Sequence, residues 1–278
     1  MHSEKLKLIG LFLLLPAMIL LGDTPEQDRC CESNCDTTHS LHFCRGNSIS
    51  IGPEIYRVSR TRAGGTRQKG NAAGIRITYD RIKRYHYYLG AQLFYGTGTL
   101  HGQSGFGEKI RSRLTDSLIE GNAGYTFQAK CLPHLSFTPF AGYGYFNEEN
   151  KFVPPTNLRV KFTTQFHYIS FGFLSSVYVL PCFTIGINGR FKWPLEAHCK
   201  VANDPDFNKV HQIVGDKLHY RIELPITYFG SLLWNSFEIA FVPFVDERLY
   251  GERENFPFDF FKTRLSIYGA NLQFIYRF

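Results

Sequence analysis

The residues with the clearest chemistry lie close to the N-terminus of the sequence. This segment holds four cysteines and two histidines, namely Cys30, Cys31, Cys35, Cys44, His39 and His42. Outside the cytoplasm thiols tend to pair, so disulfides are the first interpretation. A tetrahedral zinc site built from Cys31, Cys35, His39 and His42 with Cys44 is the alternative, although this spacing fits no standard zinc finger. Free thiols are the third possibility, and we expect no metal.

The residues before this segment indicate the compartment. Lys5 and Lys7 precede an apolar run at 8–21, and polar sequence begins after Gly22. A basic start, a short apolar core and a small residue at the end are typical of a signal peptide. We therefore predict a signal peptide at 1–22, with an uncleaved anchor as the alternative, and an exported cysteine-rich arm at 23–52.

Composition limits the fold of the remaining residues. The chain has 278 residues, a formal net charge of +7, 26 Phe, 16 Tyr and 25 Gly. It has one long apolar run, at the start, so a bundle of transmembrane helices is excluded. An aromatic content of 16% excludes a disordered chain. Many aromatic residues and glycines favour strands joined by turns, so we predict an all-β protein.

From residue 53 onward, apolar and polar residues alternate with a period of two. In the last strand one face carries apolar residues, namely Tyr268, Ala270, Leu272, Phe274, Tyr276 and Phe278. The opposite face carries Gly269, Asn271, Gln273 and Arg277. About ten such strands follow one another, joined by short turns near 82–84, 131–134, 180–182 and 231–235 and by mostly long connections near 98–115, 147–160, 194–216 and 247–262. The pattern predicts an antiparallel up-and-down transmembrane β-barrel at 53–278, and a secreted β-sandwich is the rival fold.

If the more apolar face meets lipid, the polar face lines the lumen. The charged residues that the pattern then places in the lumen are Arg57, Arg76, Glu120, Arg190, Lys192, Arg221, Glu223, Glu238 and Arg277. A barrel of this size leaves little open width. Two interpretations stay open, namely a mostly closed lumen filled by ion pairs and a narrow channel that prefers anions.

The last residues resemble the C-terminal strand of Gram-negative outer-membrane β-barrels, with Phe278 at the end and Tyr276, Phe274 and Leu272 before it. The glycine-aromatic stretch at 137–145 is also similar to strands of small OmpA-like barrels. The resemblance implies location in the outer membrane of a Gram-negative bacterium. It also implies that the barrel-assembly machinery recognises these four residues.

The barrel orientation extends the disulfide hypothesis. Cys131 and Cys182 fall in predicted short turns, on the same periplasmic side as the arm, while Cys199 falls in a predicted outer loop. Disulfides between arm and turns are therefore geometrically possible. The arm is faintly similar to cysteine-rich envelope proteins of chlamydia-like bacteria, a resemblance that implies disulfide-linked envelope partners.

Catalysis has weaker support than binding. Some ten-stranded barrels resemble omptin proteases, which implies acidic and histidine residues at the outer rim. The candidates here are Asp204, Asp206, His211, Asp216 and His219, and their spacing does not match that family. We therefore expect no enzyme and no cofactor.

The outer connections favour binding. Basic residues at 109–113 could meet lipopolysaccharide in the outer membrane, and no nucleic-acid motif is present. The predicted function is a porin-like or structural envelope barrel, and the alternative is an adhesin or ligand-binding barrel that acts through its outer loops.

Overall fold

A computed structural model describes residues 46–83, 85–129, 132–157, 160–180, 182–229 and 236–278, and its regular elements are all β-strands. Within these ranges no helix has the length and apolar character needed to cross a membrane. The all-β prediction is therefore confirmed. The predicted signal peptide and most of the predicted arm lie outside the described residues.

The strands form one antiparallel sheet. They are β1 (Asn47–Arg62), β2 (Arg67–Arg81), β3 (Tyr87–Gln103), β4 (Lys109–Tyr125), β5 (Phe127–Ala129), β6 (Leu132–Phe152), β7 (Lys161–Leu180), β8 (Phe183–Ile185), β9 (Asn188–Asp204), β10 (Asn208–Ile213), β11 (His219–Glu223), β12 (Ile226–Tyr228), β13 (Phe237–Tyr250) and β14 (Thr263–Arg277). Strand β5 continues β4, β8 leads into β9, and β10 to β12 are pieces of one pass. The chain therefore crosses the sheet ten times, as predicted.

The sheet closes into a barrel because β14 pairs with both β1 and β13. Phe274, for example, lies opposite Ile51 on one side and Ile239 on the other. The amide nitrogen of Phe278 donates a hydrogen bond to the carbonyl oxygen of Asn47 at 3.0 Å. The first and last strands therefore begin and end at the same end of the barrel, as an even strand count requires.

The barrel begins earlier than the predicted boundary at residue 53. Strand β1 starts at Asn47, within the segment that we assigned to the arm. The reason is visible in its alternation, since Ser48 and Ser50 are buried while Ile49 and Ile51 point outward. These residues are part of the barrel wall.

The exterior of the strands carries a belt of large apolar side chains. Ile55 is 67% exposed and Tyr95 is 60% exposed, although both are apolar or aromatic and lie in regular strands. The belt continues around the barrel through residues such as Ile75, Leu93, Ile119, Phe171, Ile222, Phe241 and Leu272. A soluble β-sandwich would bury this face, whereas a transmembrane barrel turns it toward lipid.

At the outer end, the strands extend beyond this belt. About 9 to 11 residues suffice to cross a bilayer, whereas β3 and β4 have 17 residues each and β6 has 21. Four of the five outer connections are short, at 63–66, 104–108, 153–160 and 205–207, and the fifth, at 251–262, has 12 residues. The turn at 63–66 uses Gly64 and Gly65, which both adopt φ of +88°. We call the strand ends beyond the apolar belt the collar.

The prediction of long outer loops near 98–115, 147–160, 194–216 and 247–262 was therefore largely wrong. In the collar the ladder continues, with Gln103 paired to Lys109 and Ser112 paired to Phe152. The strand ends were predicted as loops because the exterior residues of the collar are polar. The alternation of apolar exterior and polar interior residues that marks a strand in lipid is therefore absent there.

Candidate functional site

The structure brings eight of the nine predicted lumen charges inside the barrel. These are Arg76, Glu120, Arg190, Lys192, Arg221, Glu223, Glu238 and Arg277. Arg57 is the exception, because it is exposed on the exterior. It shares the outward parity of Ile51 and Ile55, while Glu54 and Tyr56 on the same strand point inward.

The middle of the lumen is occupied by a central ion cluster of Glu54, Arg76, Arg221 and Glu223. Glu54 is 2% exposed and accepts hydrogen bonds from two arginines. Arg76 Nε lies 2.7 Å from Glu54 Oε2, and the two terminal nitrogens of Arg221 lie 3.1 and 3.0 Å from the two carboxylate oxygens. Arg221 Nε also donates to Glu223 Oε1 at 2.7 Å. Two fork-shaped donors thus hold a single carboxylate from both sides.

Aromatic rings and amides complete this cluster. The guanidinium carbon of Arg221 lies 3.6 Å from the ring centre of Phe244, and that of Arg76 lies 4.7 Å from the ring centre of Phe94. Arg76 also donates to Gln92 Oε1 at 2.9 Å. Buried charges are tolerated only when paired and hydrogen-bonded, and these contacts meet that condition.

A second group, the Glu120 cluster, joins three more passes of the chain. Tyr168 donates its hydroxyl to Glu120 Oε2 at 2.7 Å, and Asn122 donates to Oε1 at 2.8 Å. Arg190 Nε forms an ion pair with Oε1 at 3.3 Å. The ammonium group of Lys192 lies 5.3 Å from the ring centre of Tyr168.

Nearer the outer end lies the Arg248 cluster. Arg248 Nη1 lies 2.8 Å from Asp116 Oδ2 and 3.3 Å from Glu148 Oε2. Arg248 Nη2 forms an ion pair with Asp246 at 3.5 Å, and Tyr250 donates its hydroxyl to Glu148 at 2.9 Å. Arg248 lies on β13 and Asp116 on β4, five passes apart in a barrel of ten, so this contact joins opposite walls of the lumen.

The sequence pattern did not place Glu54 or any member of the Arg248 cluster in the lumen. Glu54 was missed because the predicted inward face of β1 was the face that carries Arg57, whereas Glu54 lies on the other face. Glu148 and Arg248 lie in segments that we predicted as loops. Phe146, Glu148 and Asn150 share one parity and are all buried, but their mixed chemistry gives no pattern in the sequence that would mark an inward face.

Beyond the Arg248 cluster, the collar is filled by an apolar outer core. It draws buried side chains from most passes, including Val58, Leu100, Leu114, Val160, Phe166, Val201, Val210, Phe260 and Leu265. Leu100 and Leu265 have no exposed surface. Protein interiors packed in this way leave few voids larger than a water molecule.

The inner end of the barrel holds smaller contacts. Arg277 pairs with Glu238 across β14 and β13, and Tyr88 donates its hydroxyl to Asp80 Oδ1 at 2.8 Å. The four residues of the predicted assembly signal, Leu272, Phe274, Tyr276 and Phe278, all point outward and are between 39% and 49% exposed.

The candidate cysteines and catalytic residues do not form a site among the described residues. Cys182 has a free thiol in its turn, and Cys199 is free and buried inside the collar. Cys30, Cys31, Cys35, Cys44 and Cys131 lie outside the described residues. In the part of the chain that the structure describes, no group of three or more His, Cys, Asp and Glu side chains could hold a metal ion.

The five omptin-like candidates are also separated. Asp204 accepts hydrogen bonds from the amides of Asp206 and Phe207 in its own turn. His219 is buried and contacts the carbonyl oxygen of Leu249 at 3.0 Å, whereas His211 and Asp216 are exposed. These residues have structural or surface positions.

Comparison with known proteins gives a fold. No family model and no curated protein sequence matches this chain. Among solved structures, it is similar to the outer membrane protease OmpT from Escherichia coli, with a TM-score of 0.54 at 11% identity over 84% of this chain and 96% of that chain. Two autotransporter translocation units align with lower TM-scores. They are AIDA-I from Escherichia coli (0.46, 12% identity, covering 83% and 90% of the two chains) and NalP from Neisseria meningitidis (0.47, 9% identity, covering 90% and 91%).

These likenesses are too distant to transfer an activity. Ten antiparallel passes, an apolar exterior belt and a polar lumen agree with the architecture of bacterial outer-membrane barrels. The predicted fold, an antiparallel β-barrel, is confirmed, and the apolar exterior belt agrees with the predicted location in an outer membrane. The chain has the fold of bacterial outer-membrane β-barrels.

Proposed function

We propose that this protein is a closed structural barrel that does not conduct solutes and that presents its collar at the cell exterior. The observation that carries the proposal is the ion pair between Arg248 on β13 and Asp116 on β4, at 2.8 Å across the lumen. The Arg221 to Glu54 contact bridges the lumen a second time. A solute on this path would have to break buried ion pairs and then open the apolar outer core. The porin-like half of the predicted function is therefore disfavoured.

Single-channel recording tests this proposal. The refolded full chain is inserted into a planar bilayer, and only material whose gel mobility shifts on heating is used. We expect no discrete conductance steps in wild type. The conductance of wild type is compared with that of a variant in which Leu100, Leu114 and Leu265 are replaced by Ala. This variant has fewer apolar atoms in the outer core. Reproducible steps in folded wild type that change when Arg190 or Arg221 is neutralised would overturn the proposal.

A binding role at the cell surface is the second candidate, and a separate observation favours it. Phe106 at the tip of the β3–β4 turn is 99% exposed, and Phe256 in the β13–β14 connection is 89% exposed. Aromatic residues are enriched in protein–protein contact sites. Cells that display Phe106→Ser/Phe256→Ser should then adhere less to protein-coated surfaces than wild-type cells, while unchanged adhesion would count against this role.

Two further partners are proposed for assembly. We infer that the barrel-assembly machinery recognises the outward face of β14, because Leu272, Phe274, Tyr276 and Phe278 are accessible along one edge before the barrel closes. Deleting Phe278 should lower the yield of assembled barrel in cells without preventing refolding in detergent. Disulfide-linked envelope partners of the arm remain a prediction.

A further inference from the structure

The exterior of the collar carries two rows of basic side chains on neighbouring strands. In one row Lys69, His101 and Arg111 lie directly opposite one another across β2, β3 and β4. In the other, Arg113, Lys151 and Lys161 lie directly opposite one another across β4, β6 and β7. Arg111 and Arg113 are two residues apart on one face of β4, so the rows adjoin. We call these six residues the cation rows.

The cation rows are little neutralised by the protein itself. Among the described residues, the ion pair recorded for them joins Lys161 to Glu149 at 2.6 Å. Like charges directly opposite each other on a sheet are destabilising. Arg113, Lys151 and Lys161 are such directly opposed charges, so an external anion bound at the cation rows would relieve repulsion.

An apolar groove lies directly below the cation rows on the same strands. Its volume is about 320 Å³. It is lined by exterior side chains of the belt, including Ile75, Leu93, Tyr95, Ile119 and Tyr145, around the small side chain of Ser117. Tyr95 lies opposite Ser117, and Ile119 lies opposite Tyr145, so the depression forms where a small residue is surrounded by large ones.

The spacing between groove and rows fits one kind of molecule. Arg113 lies on the same face of β4 as Ser117 and is four residues closer to the outer end. Four strand residues span about 13 Å. Because the groove is part of the apolar belt, it would face hydrocarbon, and the cation rows nearer the outer end would then stand at the level of the headgroups. An anion bound there and an apolar chain bound below would belong to the same lipid.

We propose that this face binds a phosphorylated lipid of the outer leaflet, with an acyl chain in the groove and phosphate groups on the cation rows. The inference rests on the proposed function because the collar must face the cell exterior. It commits to a lipid rather than to a soluble polyanion, since the groove supplies the apolar contact that a soluble ligand would not use.

Native mass spectrometry of the full chain in detergent tests this inference. The probe is bisphosphorylated lipid A, compared with its dephosphorylated form. We expect wild type to retain the phosphorylated form in preference. The triple variant Arg111→Gln/Arg113→Gln/Lys151→Gln should bind it about 100-fold more weakly, because each basic residue near an anionic headgroup contributes roughly a fivefold factor. The matched control Lys209→Gln/Lys217→Gln/Arg253→Gln removes the same charge from exposed residues elsewhere and should bind normally.

A second variant separates a lipid from a soluble anion. Ser117→Trp fills the groove and should weaken binding of lipid A by about tenfold or more, while binding of the deacylated headgroup stays unchanged. Equal binding of phosphorylated and dephosphorylated lipid would overturn the proposal. So would tight binding of the deacylated headgroup with no effect of Ser117→Trp, which would assign the rows to a soluble polyanion. Conductance is recorded on the same samples, so a failure of the closed-barrel proposal is detected separately.

Discussion

The lumen and the exterior of the collar use charged residues in opposite ways. Inside, Glu54 is held by two arginines and Arg248 by three carboxylates, of which Asp116 lies on the opposite wall of the barrel. Outside, Arg113 and Lys151 lie side by side, and Lys151 also lies beside Lys161. Both regions belong to the same strands, with alternate residues facing each way.

The difference follows from the surroundings of each face. A charge sealed in the lumen has no water to solvate it, so it must find its partner within the chain. A charge on the collar exterior is solvated and can remain unpaired until an anion arrives. The lumen charges therefore hold the barrel closed, while the collar charges are available to ligands.

The largest effect should come from breaking the central ion cluster. Glu54→Gln removes the carboxylate that pairs with Arg76 and leaves Arg221 with Glu223 as its close partner, so we expect a loss of about 3–5 kcal/mol in the free energy of unfolding. Urea unfolding in detergent micelles measures it. The matched control is Glu149→Gln, which removes a partly exposed ion pair and should cost about 0–1 kcal/mol. Similar losses of unfolding free energy in both variants would contradict the distinction between lumen charges and exterior charges.

The Arg248 cluster should show the same dependence on pairing. Arg248→Met leaves Asp116 and Glu148 buried without their cation, with an expected loss of about 3 kcal/mol. Adding Asp116→Leu should restore part of it, because replacing a buried pair by apolar residues is often neutral. A double-mutant cycle measures this coupling, and strictly additive losses would show that the two residues do not interact.

Removing one hydroxyl from the lumen should have an intermediate effect. Tyr168→Phe deletes the hydrogen bond to the buried Glu120, and we expect a loss of about 1–3 kcal/mol. Tyr95→Phe removes a hydroxyl from the exposed exterior and should change stability by less than about 0.5 kcal/mol. Thermal unfolding in the same detergent compares the two variants.

The smallest effect should come from Arg57. Because this side chain lies on the exterior, Arg57→Leu should leave stability unchanged or raise it by about 0–1 kcal/mol. Arg76→Leu, on a neighbouring strand but inside, should be strongly destabilising. A large loss with Arg57→Leu would place this residue back in the lumen, where the sequence first assigned it.

The sequence predicts the belt well and the collar poorly. In β3 and β14, apolar residues alternate with small or polar ones, so both the strand and its faces are evident. In β1, Arg57 points outward while Tyr56 and Val58 point inward, which is the reverse of the expected arrangement. The face of β1 that was predicted to line the lumen was therefore wrong. In the collar the exterior is polar and the interior apolar, so the rule for lipid-facing strands fails. Contacts such as Arg248 to Asp116 depend on the closure of the barrel, which no local pattern encodes.

The most direct test compares two single neutralisations, Arg76→Gln inside and Lys151→Gln outside, in a zwitterionic membrane without anionic lipid. The quantity measured is the change in free energy of unfolding. Arg76→Gln should lower stability by about 3 kcal/mol or more, because it leaves Glu54 with less buried compensation. Lys151→Gln should raise stability by about 0.2–1 kcal/mol, because it relieves repulsion from Arg113 and Lys161. Losses of the same sign and similar size would contradict the central claim that the two faces use charge differently.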